Sequence, residues 1–148
     1  MPIVSTDEEI REILSRFRRI AVVGFSDNPG RPSHGVATFL QRQGYDIWPV
    51  NPRLAGEIVL GRRVCAALRE LPEVPEIVDV FRRSECVWEV AEQAIAVGAQ
   101  VLWTQLGVRD DAAAQRASAV GLAVVQERCP AIEIPRLRIG LAGPVPFL

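Results

Sequence analysis

The chain has 148 residues, 49% of them hydrophobic and 24% charged, with a formal net charge of -1. That length fits one domain around one core. The near-neutral balance argues against a duplex nucleic acid partner, which needs a concentrated basic face. All 17 residues of the Lys and Arg class are arginine, which excludes Schiff-base and P-loop lysine chemistry.

Cys65, Cys86 and Cys129 are far apart and odd in number, with no C-x-x-C pair. Neither a zinc site nor a dithiol motif is signalled, and the thiols read as reduced in a cytoplasmic protein. The opening MPIVSTDEEIREIL is acidic and amphipathic, unlike a secretory signal, and no apolar run reaches the ~18 residues of a membrane span.

In chain order, Thr6 and Glu9 form a capping-box pair ahead of Ile10, Ile13, Leu14 and Phe17, which predicts a helix over about 6–17. RIAVVGF (19–25) is a β-branched run ended by glycine, the pattern of a strand buried on both faces. A loop of Gly, Pro, Ser and Arg follows. A helix then starts near Ser33, marked by Val36, Phe39 and Leu40 and closed at Gly44.

YDIWPVNP (45–52) is the second strand. EIVLGRRV (57–64) predicts a short strand or turn, and CAALREL (65–71) a short helix. EIVDVF (76–81) is a strand, and Ser84 is placed to cap the helix ECVWEVAEQAIAVG. QVLWTQLG is a strand, DDAAAQRASAVG a helix whose Asp110 and Asp111 complement its dipole, and LAVVQE the last strand. From Arg128 the chain reads as irregular, with a tail at 138–148 ending in the apolar LAGPVPFL. Strands alternating with helices predict a single doubly wound, Rossmann-like α/β domain over 1–148, with a core at about 19–137. Its mainly parallel sheet has about five strands, expected in the order 3-2-1-4-5.

In such a sheet, ligands bind beyond the carboxyl ends of the strands, at the point where the strand order reverses. The loop after the first strand is therefore the candidate site. Gly24 permits close approach, Ser26 and Ser33 offer hydroxyls, and Arg31 offers a charged donor to phosphate. Pro29 and Pro32 stiffen the loop. The glycine spacing is not G-x-G-x-x-G. The second strand ends in Asn51, Pro52 and Arg53, where an NAD site carries an acid for the ribose diol. An arginine there favours a phosphorylated adenosine, as in NADP or coenzyme A, and the residues leave both open.

The segments VVGFSDNPGRPSHGVATFL, YDIWPVNP, IVDVFRRSE, VLWTQLGV and RCPAIE, in this order, resemble the small single-domain CoA-binding proteins. These are relatives of the CoA-binding domain in the succinyl-CoA synthetase α subunit. The resemblance implies CoA lying across the strand ends. Gly24, Phe25, Ser26, Arg31, Ser33 and His34 would line the pyrophosphate loop, and Asn51, Pro52 and Arg53 the adenosine phosphate end. Phe81, Arg82 and Arg83 would flank adenine or pantetheine, and Trp103, Gln105 and Gly107 the pantetheine. One departure stands out: CPAIEIPRL has Ala131 and Ile134 where many relatives carry Lys and His.

His34, the only histidine, reads as a phosphate or ribose contact or as a surface residue at a helix start. Cys129 reads as a packed thiol, with a mixed disulfide to CoA as the alternative under oxidation. No triad or metal set is recognisable. The expectation is a non-catalytic binder of CoA or acyl-CoA, without membrane contact. The alternatives are an NADP-dependent oxidoreductase-like protein and a CoA-binding subunit of a multi-chain ligase, with a homo-oligomer open.

Overall fold

The computed structural model describes residues 3–140; the apolar LAGPVPFL piece, 141–148, lies outside the described residues. Helix α1 (Asp7–Arg16) starts with the expected capping box. The Thr6 hydroxyl accepts from the Glu9 N–H at 3.2 Å, and the Glu9 carboxylate accepts from the Thr6 N–H at 3.1 Å. Its Ile10, Ile13 and Leu14 are buried.

Strands β1 (Arg19–Val23), β2 (Asp46–Val50), β5 (Ile77–Val80), β6 (Val101–Thr104) and β7 (Ala123–Val125) form one parallel sheet in the order β2-β1-β5-β6-β7. Counted over these five, the order is 2-1-3-4-5, which corrects the expected 3-2-1-4-5. The cause lies after β2. The segment 57–64 folds into a hairpin of β3 (Ile58–Val59) and β4 (Arg62–Arg63), turning through Leu60 and Gly61 at φ 50° and 75°. Two positive φ values in a row suit the twist of a tight hairpin.

The chain then lays Cys65 against the outer edge of β2. The Asn51 N–H donates to Cys65 O at 2.9 Å, and the Cys65 N–H donates to Pro49 O at 3.2 Å. That single parallel bridge takes the outer position, so the next full strand crosses to the far side of β1. The opposite edge is met by the amino-terminal segment: Ile3 bridges Val124, and the Val4 N–H donates to Val124 O at 2.8 Å.

Alternate residues of the buried strands feed two cores. Ile20 and Val22 face a layer built with α1, α2 (Pro32–Arg42) and α5 (Pro130–Arg136). Ala21 and Val23 face α3 (Val87–Val97) and α4 (Asp111–Ala119). Three local expectations are corrected. Residues 68–70 form only a 3-10 turn. Ser84 opens a 3-10 turn ahead of α3 and does not cap it; its hydroxyl accepts from the Arg109 N–H at 3.0 Å, tying down the loop after β6. The segment expected to be irregular from Arg128 onward contains α5, which buries Ile134.

Candidate ligand-binding crevice

The strand order reverses between β1 and β5, and the chain leaves β1 through Gly24 at φ +89°. A Cβ there would stand 2.8 Å from Phe81 O and 3.0 Å from Arg82 Cδ. Glycine is thus required by the approach of the two strand ends, whatever binds above them.

The loop after it is wound on its own side chains. Ser33 Oγ accepts from the Ser26 N–H at 2.9 Å, Ser26 Oγ from the Asn28 N–H at 3.1 Å, and Asn28 Oδ1 from the Gly30 N–H at 2.9 Å. Asn51, at the end of β2, donates from Nδ2 to Phe25 O at 2.7 Å and accepts at Oδ1 from the Arg53 N–H at 2.8 Å. Much of the polarity in this stretch therefore fixes the shape of the loop. The first turn of α2 has Pro32 at its start and no side-chain cap.

Two cavities open over the strand ends. The first, of about 430 Å³, takes Gly24 and Arg31 from the loop after β1, Asn51, Pro52 and Arg53 from the end of β2, and Phe81, Arg82 and Arg83 from the end of β5. Its cations dominate. Neither Arg31 nor Arg53 has a carboxylate partner among the described residues, Arg82 reaches only Cys86 Sγ at 3.5 Å, and Arg83 lies 4.0 Å from the exposed Glu85. Glu89 is the one acid on its wall.

The second cavity, of about 320 Å³, shares Gly24, Arg31 and Phe81 with the first. Its walls are mostly apolar, from Val36, Phe81, Leu106 and Val108, with Ser26, Pro32 and Ser33 on the loop side and Gln105 and Cys129 opposite. The two form one crevice with a cationic half and an apolar half. Beneath it, Asp79 lies between Val22 and Trp103 in the sheet register, on the same face as Phe81. It is fully buried with neither carboxylate oxygen partnered, and burial pushes its pKa well above the usual aspartate value.

A family model for the CoA-binding domain matches residues 18–135. The chain belongs to this CoA-binding domain family. It is 43% identical over 121 residues to the uncharacterised protein YneT of Bacillus subtilis (strain 168), covering 82% of this chain and 88% of that relative. Among solved structures it is similar to a hypothetical protein from Pyrococcus horikoshii OT3, with 41% identity and a TM-score of 0.87, over 93% of this chain and 96% of that one. The structure of cell-free ID.343 from Thermus thermophilus is 36% identical with a TM-score of 0.86, over 90% and 99% of the two chains.

Within this CoA-binding domain, most of the residues expected at the site come together on the crevice walls. Phe25 and His34 do not. The Phe25 side chain is wholly buried, with the His34 ring 5.8 Å from it, so both pack at the base of α2. Trp103 is also fully buried, its indole N–H donating to Arg128 O at 2.7 Å, and Gly107 lines neither cavity.

Sequence reasoning missed the apolar wall of Val36, Leu106 and Val108, took Cys129 mainly as packing, and passed over Asp79. A signal for Asp79 existed, since an acid inside the apolar run IVDVF breaks the pattern of a doubly buried strand. Among the described residues there is no cluster of His, Cys, Asp and Glu able to hold a metal, and no helix long and apolar enough to cross a membrane.

Proposed function

We propose that the protein binds coenzyme A or an acyl-CoA without turning it over. The carrying observation is the division of the crevice: arginines line one half, apolar walls line the other, and Gly24, Arg31 and Phe81 join them. CoA divides in the same way, with its phosphates gathered at the adenosine end and an uncharged arm ending in the thiol. Arg53, standing where an NAD site carries an acid, suits the phosphorylated ribose, and Arg31 at the junction suits the pyrophosphate. The arm then runs into the apolar half.

NADP shares the phosphorylated adenosine but would place a second ribose and a flat amide-bearing ring in that half. Titration calorimetry with CoA, dephospho-CoA, NADP and NAD decides between them. CoA should bind tightest and lose most of its affinity with the 3′-phosphate; preferential binding of NADP would refute the reading.

Binding without catalysis is supported by the lone histidine, which turns to Phe25 and stays off the crevice walls. Acetyl-CoA incubated with the protein should release thiol no faster than in buffer. The three cysteines are free among the described residues, which suits a reducing, cytoplasmic setting.

A further inference from the structure

Cys129 stands on the wall of the apolar half, only 6% exposed, at the start of α5. The Gln105 side-chain amide faces its sulfur, yet Gln105 Oε1 has no partner although the residue is also only 6% exposed. One position down the same sheet face lie the two unpartnered oxygens of Asp79. A buried polar atom left without a partner is costly, and Gln105 Oε1 on the cavity wall beside the thiol marks a place where a polar group arrives from outside. The CoA arm carries amide N–H groups for Gln105 Oε1 and ends in sulfur.

Resting on the reading above, we propose that Cys129 is a site of covalent capture. It exchanges with a CoA disulfide seated in the crevice and leaves a Cys129–S–S–CoA mixed disulfide. The Cys129 sulfur attacks the CoA-side sulfur, the S–S bond of the ligand breaks, and a new S–S bond forms to Cys129. The departing thiolate takes up the proton that Cys129 gives up. One S–S bond replaces another, so no further oxidant enters.

The other cysteines make the test sharp. Cys65 and Cys86 are both more exposed than Cys129, so a disulfide free in solution meets them first. Burial pushes the Cys129 thiol up, so an unguided disulfide reacts there slowly. Only a ligand held by the crevice supplies the local concentration that reverses this preference.

The experiment uses the reduced full chain, incubated separately with CoA disulfide and with glutathione disulfide, then read by intact mass and by tryptic mapping without reductant. Cleavage after arginine puts each cysteine in its own peptide: 64–69, 84–109 and 129–136. With CoA disulfide, the mass should rise by one CoA less two hydrogens, on peptide 129–136. That reaction should run on the order of tenfold or more faster than with glutathione disulfide, and Cys129→Ser should abolish it. Modification of 64–69 or 84–109 first, or equal rates with both reagents, overturns the proposal. Calorimetry with CoA under reductant separates the two claims. CoA that binds but leaves no adduct on 129–136 removes the capture alone; CoA that fails to bind removes the binding reading as well.

Discussion

The carbonyl oxygen of Phe81 stands 2.8 Å from the point that a β-carbon on Gly24 would occupy. Backbone, which cannot swing aside, blocks the position, and φ +89° is itself unfavourable for any other residue. Gly24→Ala should therefore destabilise the fold by roughly 2 to 4 kcal/mol, from overpacking and backbone strain together. A lowered denaturant midpoint at unchanged slope would show it. A midpoint equal to the wild type would mean that the ends of β1 and β5 separate freely.

Arg31 and Arg53 should separate by ligand. Arg31 lines both halves and is proposed above to meet the pyrophosphate that CoA and dephospho-CoA share, so Arg31→Ala should weaken both alike. Arg53→Ala should weaken CoA and leave dephospho-CoA nearly unchanged. Each loss should be about tenfold to a hundredfold, the range of one charge-assisted hydrogen bond. Calorimetry on the two variants reads both; equal losses with Arg53→Ala would remove it from the phosphate role.

Asp79 gives a pH signature. In the unfolded chain it ionises near its ordinary value of 3.8, whereas burial raises the folded value well above that. Between the two, the unfolded chain has released a proton that the folded chain keeps, so this group makes stability fall as pH rises. Asp79→Asn removes that slope. The stability of the variant relative to wild type should grow as pH rises from about 4 in denaturant titrations. A difference that stays constant as pH rises would mean that the acid sits folded in its charged form.

Asn51 joins the end of β2 to the loop after β1 through its bond to Phe25 O at 2.7 Å. Asn51→Ala should cost about 1 to 2 kcal/mol of stability and weaken CoA and dephospho-CoA together, because the loop carrying Arg31 loses its tether. Unchanged affinity for both would show that the loop holds its shape through Ser26, Asn28 and Ser33 alone.

The parallel α/β architecture and most elements were legible because they rest on local periodicity. The runs around Ile20, Ile77 and Leu102 and the helices opened by Thr6 and Asp110 carry their own patterns. Strand order was not, because it turned on one bridge between Cys65 and the edge of β2, which no periodicity announces. Helix α5 was hidden by brevity and by prolines: Pro130 starts it and Pro135 lies inside it, where composition alone argues against a helix. Ser84 matched a cap in sequence, yet its hydroxyl was claimed by a backbone N–H 25 residues away.

At the crevice, the arginines and loop residues could be placed from the ends of strands. The opposing wall of Gln105, Leu106 and Cys129 combines two distant segments, and Cys129 gained significance only once a cavity stood in front of it.

Both rims of the sheet are already occupied: Ile3 and Val4 lie along β7, and Cys65 with its hairpin lies along β2. A second chain seeking to join as an extra strand would first have to peel one of these segments away. Among the described residues, the helical flanks and the mouth of the crevice are faces a partner can meet without displacing either segment, and at the mouth docking and access to the ligand proposed above become a single question.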